Sequence, residues 1–171
     1  MTRDGTVWWI TGLSGSGKST VGRLVRDGLA ARGRPALLLD GDVLRGVLGE
    51  TASHGRDDRR RLASIYSRLS REVASQGIDA VCASISMFHS VRAWNREHIT
   101  RYLEIYLRVP LPELEARDPS GLYARARAGE PMMVVGLDEA FEEPMRPDLV
   151  IDHVGIDPVE AAARILALAP A

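Results

Sequence analysis

Cysteine is almost missing from this chain. Cys82 stands alone among 171 residues, which excludes an intramolecular disulfide and fits a reducing compartment. Its neighbours Val81 and Ala83 mark it as a small buried hydrophobe rather than a reactive thiol. An excess of charge of one sign is missing too. Twenty-two basic residues face 23 acidic ones, a formal net charge of -1, so no global field draws the molecule to nucleic acid or an anionic membrane. No apolar stretch approaches the roughly 20 residues that span a bilayer. The run Val7 to Ile10 meets a glycine-rich turn too early to be the core of a signal peptide. A cytoplasmic protein, bound neither to nucleic acid nor to membrane, is the expectation. Metal-ligand spacing is absent as well: His54, His89, His98 and His153 show no i, i+4 pair and no neighbouring cysteine, so no zinc site is read.

What is present is an ordinary globular composition, 45% hydrophobic and 26% charged, which speaks against disorder. The length suits one complete α/β domain and leaves little room for a second core. Short apolar runs alternate with longer amphipathic ones, the pattern of βαβ units on a mostly parallel sheet. Strands are expected at 7–10, 36–39, 80–83, 102–109 and 149–151. Helices are expected over 18–31, over 57–76, where Leu62, Ile65, Tyr66, Leu69 and Val73 keep three-to-four spacing, and after Pro158. The fold class is therefore α/β, a three-layer αβα sandwich with a mostly parallel five-stranded sheet. Between the last two strands, residues 117–144 form a polar, glycine-bearing excursion without a strand pattern. An excursion of that length inside a small domain is expected to be a lid over a site.

The strongest chemical signal is Gly12-Leu13-Ser14-Gly15-Ser16-Gly17-Lys18-Ser19, followed by Thr20. It matches the Walker A pattern in full and sits between a buried strand and a helix, the context the motif requires. Glycines let the backbone wind tightly and aim amide hydrogens at phosphate oxygens, and the helix adds its positive end. Lys18 is expected to reach the β- and γ-phosphates of ATP, and the Ser19 hydroxyl to ligate Mg2+. Asp40 and Asp42 flank Gly41 at the end of the second strand, where ligands of open parallel sheets bind. One would orient an acceptor hydroxyl and one would hold the metal or its waters; the alternative for either is a turn with a helix cap. Arg45 lies one helical step from Asp42. Arg59 and Arg92 are further candidates to clamp an anionic acceptor through bidentate guanidinium geometry, with a solvated surface as the alternative, strongest for Arg59 beside Arg56, Arg60 and Arg61. Trp8 and Trp9 read as core. Trp94, on a polar stretch after the third strand, reads either as core or as a platform for a base.

Taken together, several segments resemble the adenylylsulfate kinase family. They are the run from Ile10 to Thr20, Leu39-Asp40-Gly41-Asp42 with Arg45, Ile85-Ser86 with Arg92, and Glu104-Ile105-Tyr106-Leu107. Arg117-Asp118-Pro119 leading into Gly121-Leu122-Tyr123, then Ala126-Arg127-Ala128-Gly129, Gly136-Leu137-Asp138 and Glu143-Pro144 complete the series. The resemblance covers about residues 7–150. It implies a P-loop kinase, usually a homodimer, that phosphorylates the ribose 3′-hydroxyl of a small nucleotide acceptor, adenylylsulfate, with MgATP. It also implies that Asp40 sits at the metal, that Asp42, Arg45, Arg59, Ile85 and Ser86 face the acceptor, and that Arg117 lies near the ATP base.

The chain departs from that pattern in its acceptor half. Glu50-Thr51 replaces a Phe-Ser, Leu62 an asparagine, Met87 a proline, and Val134-Val135-Gly136 a Phe-Thr-Gly. Both phenylalanines that would sandwich the adenine are thereby lost. Stacking on a base is worth about 1–3 kcal/mol per ring, so adenine recognition should weaken unless Phe88 or Trp94 takes over. This combination is similar to a divergent branch that phosphorylates cytidine diphosphoramidate at its 3′-hydroxyl. A kinase of another small alcohol is a further reading. A GTPase-like switch is disfavoured, because the chain lacks the Asn-Lys-x-Asp guanine signature.

Overall fold

A strand buried on both faces needs apolar residues at every position, and Val7–Thr11 (β1) is buried at all five. In the computed structural model, which describes residues 4–49, 55–118, 120–130 and 133–169, β1 is the centre of a five-stranded sheet. The departure at Glu50-Thr51, His54, Pro119 and residues 131–132 of the expected lid lie outside the described residues.

The chain continues as α1 (Lys18–Ala30), β2 (Ala36–Asp40), α2 (Gly41–Val47), α3 (Arg56–Ser75), β3 (Asp79–Ala83) and α4 (His89–His98). It ends as β4 (Tyr102–Arg108), α5 (Leu111–Arg117), α6 (Leu122–Arg127), β5 (Leu149–Asp152) and α7 (Pro158–Leu166). Strand order is β2-β3-β1-β4-β5, and every pairing is parallel, where a mostly parallel sheet was expected. Parallel pairing requires crossovers that cover both faces of the sheet. Alternation along β1 divides the core accordingly. Trp8 and Ile10 pack with α1 and α7 residues such as Val25 and Ile165, whereas Val7 and Trp9 pack with Leu62, Tyr66 and Val91 of α3 and α4. Both tryptophans are core residues. Cys82 is buried, and burial pushes its thiol up to about 12, so it is inert at neutral pH.

The chain passes from β1 to β2 on one side of β1 and later from β3 across to β4 on the other, so the crevice beyond the carboxyl ends of the strands is where a ligand fits. A third apolar cluster lies at that end: Leu13, Tyr106, Leu114, Tyr123, Val134 and Val135 pack together. It ties the Walker loop to α5, α6 and the 133–137 segment. The excursion therefore contains a helix and packs onto the Walker loop and β4 through a shared apolar cluster.

Helix α4 was not foreseen. Its buried residues are Val91, Arg92 and Asn95, and two polar groups out of three erase the apolar periodicity. Arg92 is 4% exposed and stands 3.3 Å from Glu104 on β4. Arg96 adds a 3.1 Å pair to the same carboxylate and another to Asp148. A buried charge survives only when it is paired. Here the pairing dictates which face of α4 turns inward. Among the described residues no helix is long and apolar enough to cross a membrane.

Candidate active site

The turn between β1 and α1 is shaped by two glycines. A Cβ on Gly12 would lie 2.6 Å from the Leu107 carbonyl oxygen and 2.6 Å from Ser16 Oγ, so the loop turns only because that atom is missing. Gly17 has φ 88° and caps α1, with His153 packed against it: a Cβ there would meet the ring Nε2 at 3.0 Å. Gly12 and Ser16 thus build the loop from behind. Ser14, Gly15, Gly17, Lys18, Ser19 and Thr20 line a cavity of about 660 Å³. Lys18 Nζ donates to the Leu13 carbonyl at 2.7 Å. Burial of the ammonium lowers its pKa to about 8, against the opposing pull of Asp42 and Asp40. A buried ammonium is charged only at a cost, which a phosphate group beside it would offset by favouring the charged form.

Asp40 ends β2, is 7% exposed, and accepts the Asp42 N–H at 2.9 Å. It is therefore the N-cap of α2, as the turn reading had it, and it also lines the cavity beside Ser19. Asp42 follows on the first turn of α2 and is ion-paired with Arg45; both line the same cavity. The one-step spacing on a short helix places them together, as expected. Ser19 and Asp40 both line the cavity and offer hard oxygen donors, the donor type that Mg2+ selects.

Arg59 lies on the first turn of α3, and it is not a solvated surface group. It donates to the Met133 carbonyl at 2.6 Å, stands 3.8 Å from Glu139 and lines the cavity. Burial lowers its pKa, and Arg45 lowers it further against the pull of Glu139. Ile85 and Ser86 line the cavity after β3, held by Thr11 Oγ1 donating to the Ile85 carbonyl at 2.7 Å. Ser86 has φ 20°, the sparsely populated backbone that gathers at sites.

Arg92 stands apart from the other expected clamps. Its guanidinium meets Glu104, the Glu142 carbonyl and His89, and it is not among the residues that line the cavity. It braces α4 against β4. Arg117 also lies off the cavity surface. It reaches the His153 carbonyl at 3.3 Å and Glu113 at 2.9 Å, which places it next to the Gly17 side of the cradle. Trp94 stacks on His98 at 4.6 Å between centroids and carries Arg68 on its ring; it lines a separate shallow cleft with Arg68 and Ser90.

Lining residues that the sequence reading did not take as site residues include Arg56, Arg125, Glu139 and Phe141. Arg56 reaches Glu139 across 83 positions, a pairing that no local pattern announces. Among the described residues there is no group of three or more His, Cys, Asp or Glu side chains able to hold a metal.

Comparison with known proteins agrees with this geometry. The family model described as adenylylsulphate kinase matches residues 4–152. The adenylyl-sulfate kinase of Paraburkholderia xenovorans is 38% identical over 164 residues, covering 95% of this chain and 92% of that protein. The cytidine diphosphoramidate kinase of Campylobacter jejuni is 36% identical over 153 residues, covering 90% of this chain and 89% of that protein. The Mycobacterium tuberculosis APS kinase, solved in complex with AMPPNP and APS, superposes with a TM-score of 0.90 at 34% identity, over 97% of this chain and 98% of that one. Family model, relatives and solved structure agree over nearly the whole chain, and the chain belongs to the adenylylsulphate kinase family.

Proposed function

We propose that this protein transfers the γ-phosphoryl group of ATP to the ribose 3′-hydroxyl of a nucleotide acceptor, with adenylylsulfate the first candidate. One observation carries the reading: the Walker loop with Lys18 and Ser19, the carboxylates Asp40 and Asp42, and the guanidinium groups of Arg45 and Arg59 all open into one cavity. Amides of the loop and Lys18 hold the triphosphate, Arg45 and Arg59 hold the acceptor's anionic groups, and Asp42 orients the hydroxyl and takes its proton. The hydroxyl oxygen bonds to the γ-phosphorus as the bond to the β–γ bridging oxygen breaks, and ADP leaves. Bound Mg2+, held by Ser19 with Asp40 nearby, would neutralise charge on the phosphate oxygens. Arg117 and the neighbourhood of His153 mark the side on which the ATP base lies. The assembly expected is a homodimer.

An acceptor-dependent release of ADP, measured with adenylylsulfate and with cytidine diphosphoramidate in parallel, tests the proposal. Turnover of neither would sink it. Cytidine diphosphoramidate is kept as the second reading because Val134 and Val135 line the cavity where the resemblance calls for an aromatic side chain. A smaller pyrimidine needs less aromatic area, and one relative at 36% identity carries that name.

Residues 117–144 act as a lid in this proposal. Tyr123 donates to the Ser14 carbonyl at 2.8 Å, so one end of the excursion rests on the phosphate cradle. Limited proteolysis is expected to cut between Arg117 and Val135 in the ligand-free protein and to slow on adding an ATP analogue with acceptor. Equal cleavage in both states would argue against closure.

A further inference from the structure

The chain has two phenylalanines, and both Phe88 and Phe141 line the cavity. They come from unrelated places, the N-cap of α4 and the segment before β5. One side chain connects them. Arg56, at the start of α3, carries its guanidinium 5.2 Å from the Phe88 ring centroid. The same guanidinium donates to Glu139 Oε1 at 3.1 Å, to the Ala140 carbonyl at 3.1 Å and to Glu142 Oε1 at 2.6 Å. Those three acceptors bracket Phe141 on both sides, so its backbone is fixed by the group that covers Phe88. Cation–π attraction acts at this range, and a planar fork loses less freedom per bond than a flexible ammonium.

We propose that Phe88 and Phe141 hold the base of the acceptor, and that Arg56 is the positioning residue that fixes both. The inference rests on the kinase reading above and deepens it. Phe88 follows Ile85 and Ser86 closely in the chain and Arg56 precedes Arg59 by one helical turn, and all of them line the cavity with Phe141; Ile85, Ser86 and Arg59 are the residues that the kinase reading sets against the acceptor. Trp94, the alternative platform, is committed to His98 and Arg68 in a separate cleft. Of the other aromatic groups that line the cavity among the described residues, Tyr66 is held by its hydroxyl donating to the Gly41 carbonyl at 3.1 Å.

The test is steady-state kinetics with whichever of adenylylsulfate and cytidine diphosphoramidate is turned over, varying acceptor and ATP separately. Arg56→Gln is expected to raise the acceptor KM about tenfold, with kcat and the ATP KM within about twofold of the parent. Arg56→Lys should recover part of that loss, because it keeps the charge without the fork. Phe141→Leu, milder for the fold, should raise the acceptor KM by a similar factor. The double variant Arg56→Gln/Phe141→Leu should then cost far less than the product of the two, since both act on one platform. An acceptor KM unmoved by Arg56→Gln, a matching rise in the ATP KM, or fully multiplicative effects would overturn the assignment. If the parent enzyme turns over neither acceptor, the kinase reading itself fails and takes this one with it. If turnover persists with an unmoved KM, only the platform fails.

Discussion

Lys18→Ala is expected to lower kcat/KM for ATP by at least about a thousandfold while the sheet stays folded. The Lys18 side chain meets the Leu13 carbonyl and the phosphate cradle, and it supplies a positive charge where the transition state gathers negative charge. Retained turnover would refute the cradle. The same residue carries a pH signature. In the ligand-free protein burial holds the ammonium at about 8, below the 10.5 of an exposed lysine. Between about pH 8 and 10.5 the unfolded chain binds more protons at this group than the folded one. Its contribution therefore makes the free protein more stable as pH rises through that window. Phosphate oxygens at the site reverse the balance by favouring the charged form. ATP binding is then expected to take up a proton near pH 8–9, and affinity should fall as pH rises above about 8. Calorimetry in buffers of different ionisation enthalpy reads that uptake. Lys18→Ala should abolish it. Proton uptake that survives in the variant would assign the signal to another group.

Much of this was legible in the chain because it is local chemistry. The Walker loop, the Asp-Gly-Asp step and the buried strands are short patterns whose geometry follows from neighbouring residues. The five strands appear where apolar runs were expected, differing by a residue or two at their ends, as at Asp40, which joins β2 and also caps α2. What was not legible depends on distant partners. Helix α4 hides because Arg92 and Asn95 are buried, and only Glu104 on β4 explains the arginine. Arg92 and Arg59 look alike in sequence, yet one is consumed by a carboxylate beneath the sheet end and the other faces the cavity. Arg56 looked like one more surface charge in a basic run, and its partners lie 83 to 86 positions away. The scarcity of phenylalanine was the one available signal, since two rings in a whole chain invite the question of what each one touches.

The second large effect separates two roles of one carboxylate. Asp40 caps α2 and also faces the phosphate cradle, so a simple loss of activity on removing it would prove little. Asp40→Asn divides the roles. The amide oxygen still accepts the Asp42 N–H, and asparagine caps a helix about as well as aspartate. The melting temperature should therefore hardly move. The charge near Lys18 and Ser19 is lost, and kcat is expected to fall about a hundredfold or more. The Mg2+ concentration needed for half-maximal rate should rise at the same time, because a hard anionic oxygen has left the metal side of the cavity. Asp40→Ala should add a stability cost of about 1 kcal/mol for the missing cap, visible as a lower melting temperature with no greater need for metal than the asparagine variant shows. If Asp40→Asn keeps full kcat and unchanged Mg2+ dependence, Asp40 is a cap alone. Asp42, two residues further and paired with Arg45, would then have to serve the metal as well as the acceptor.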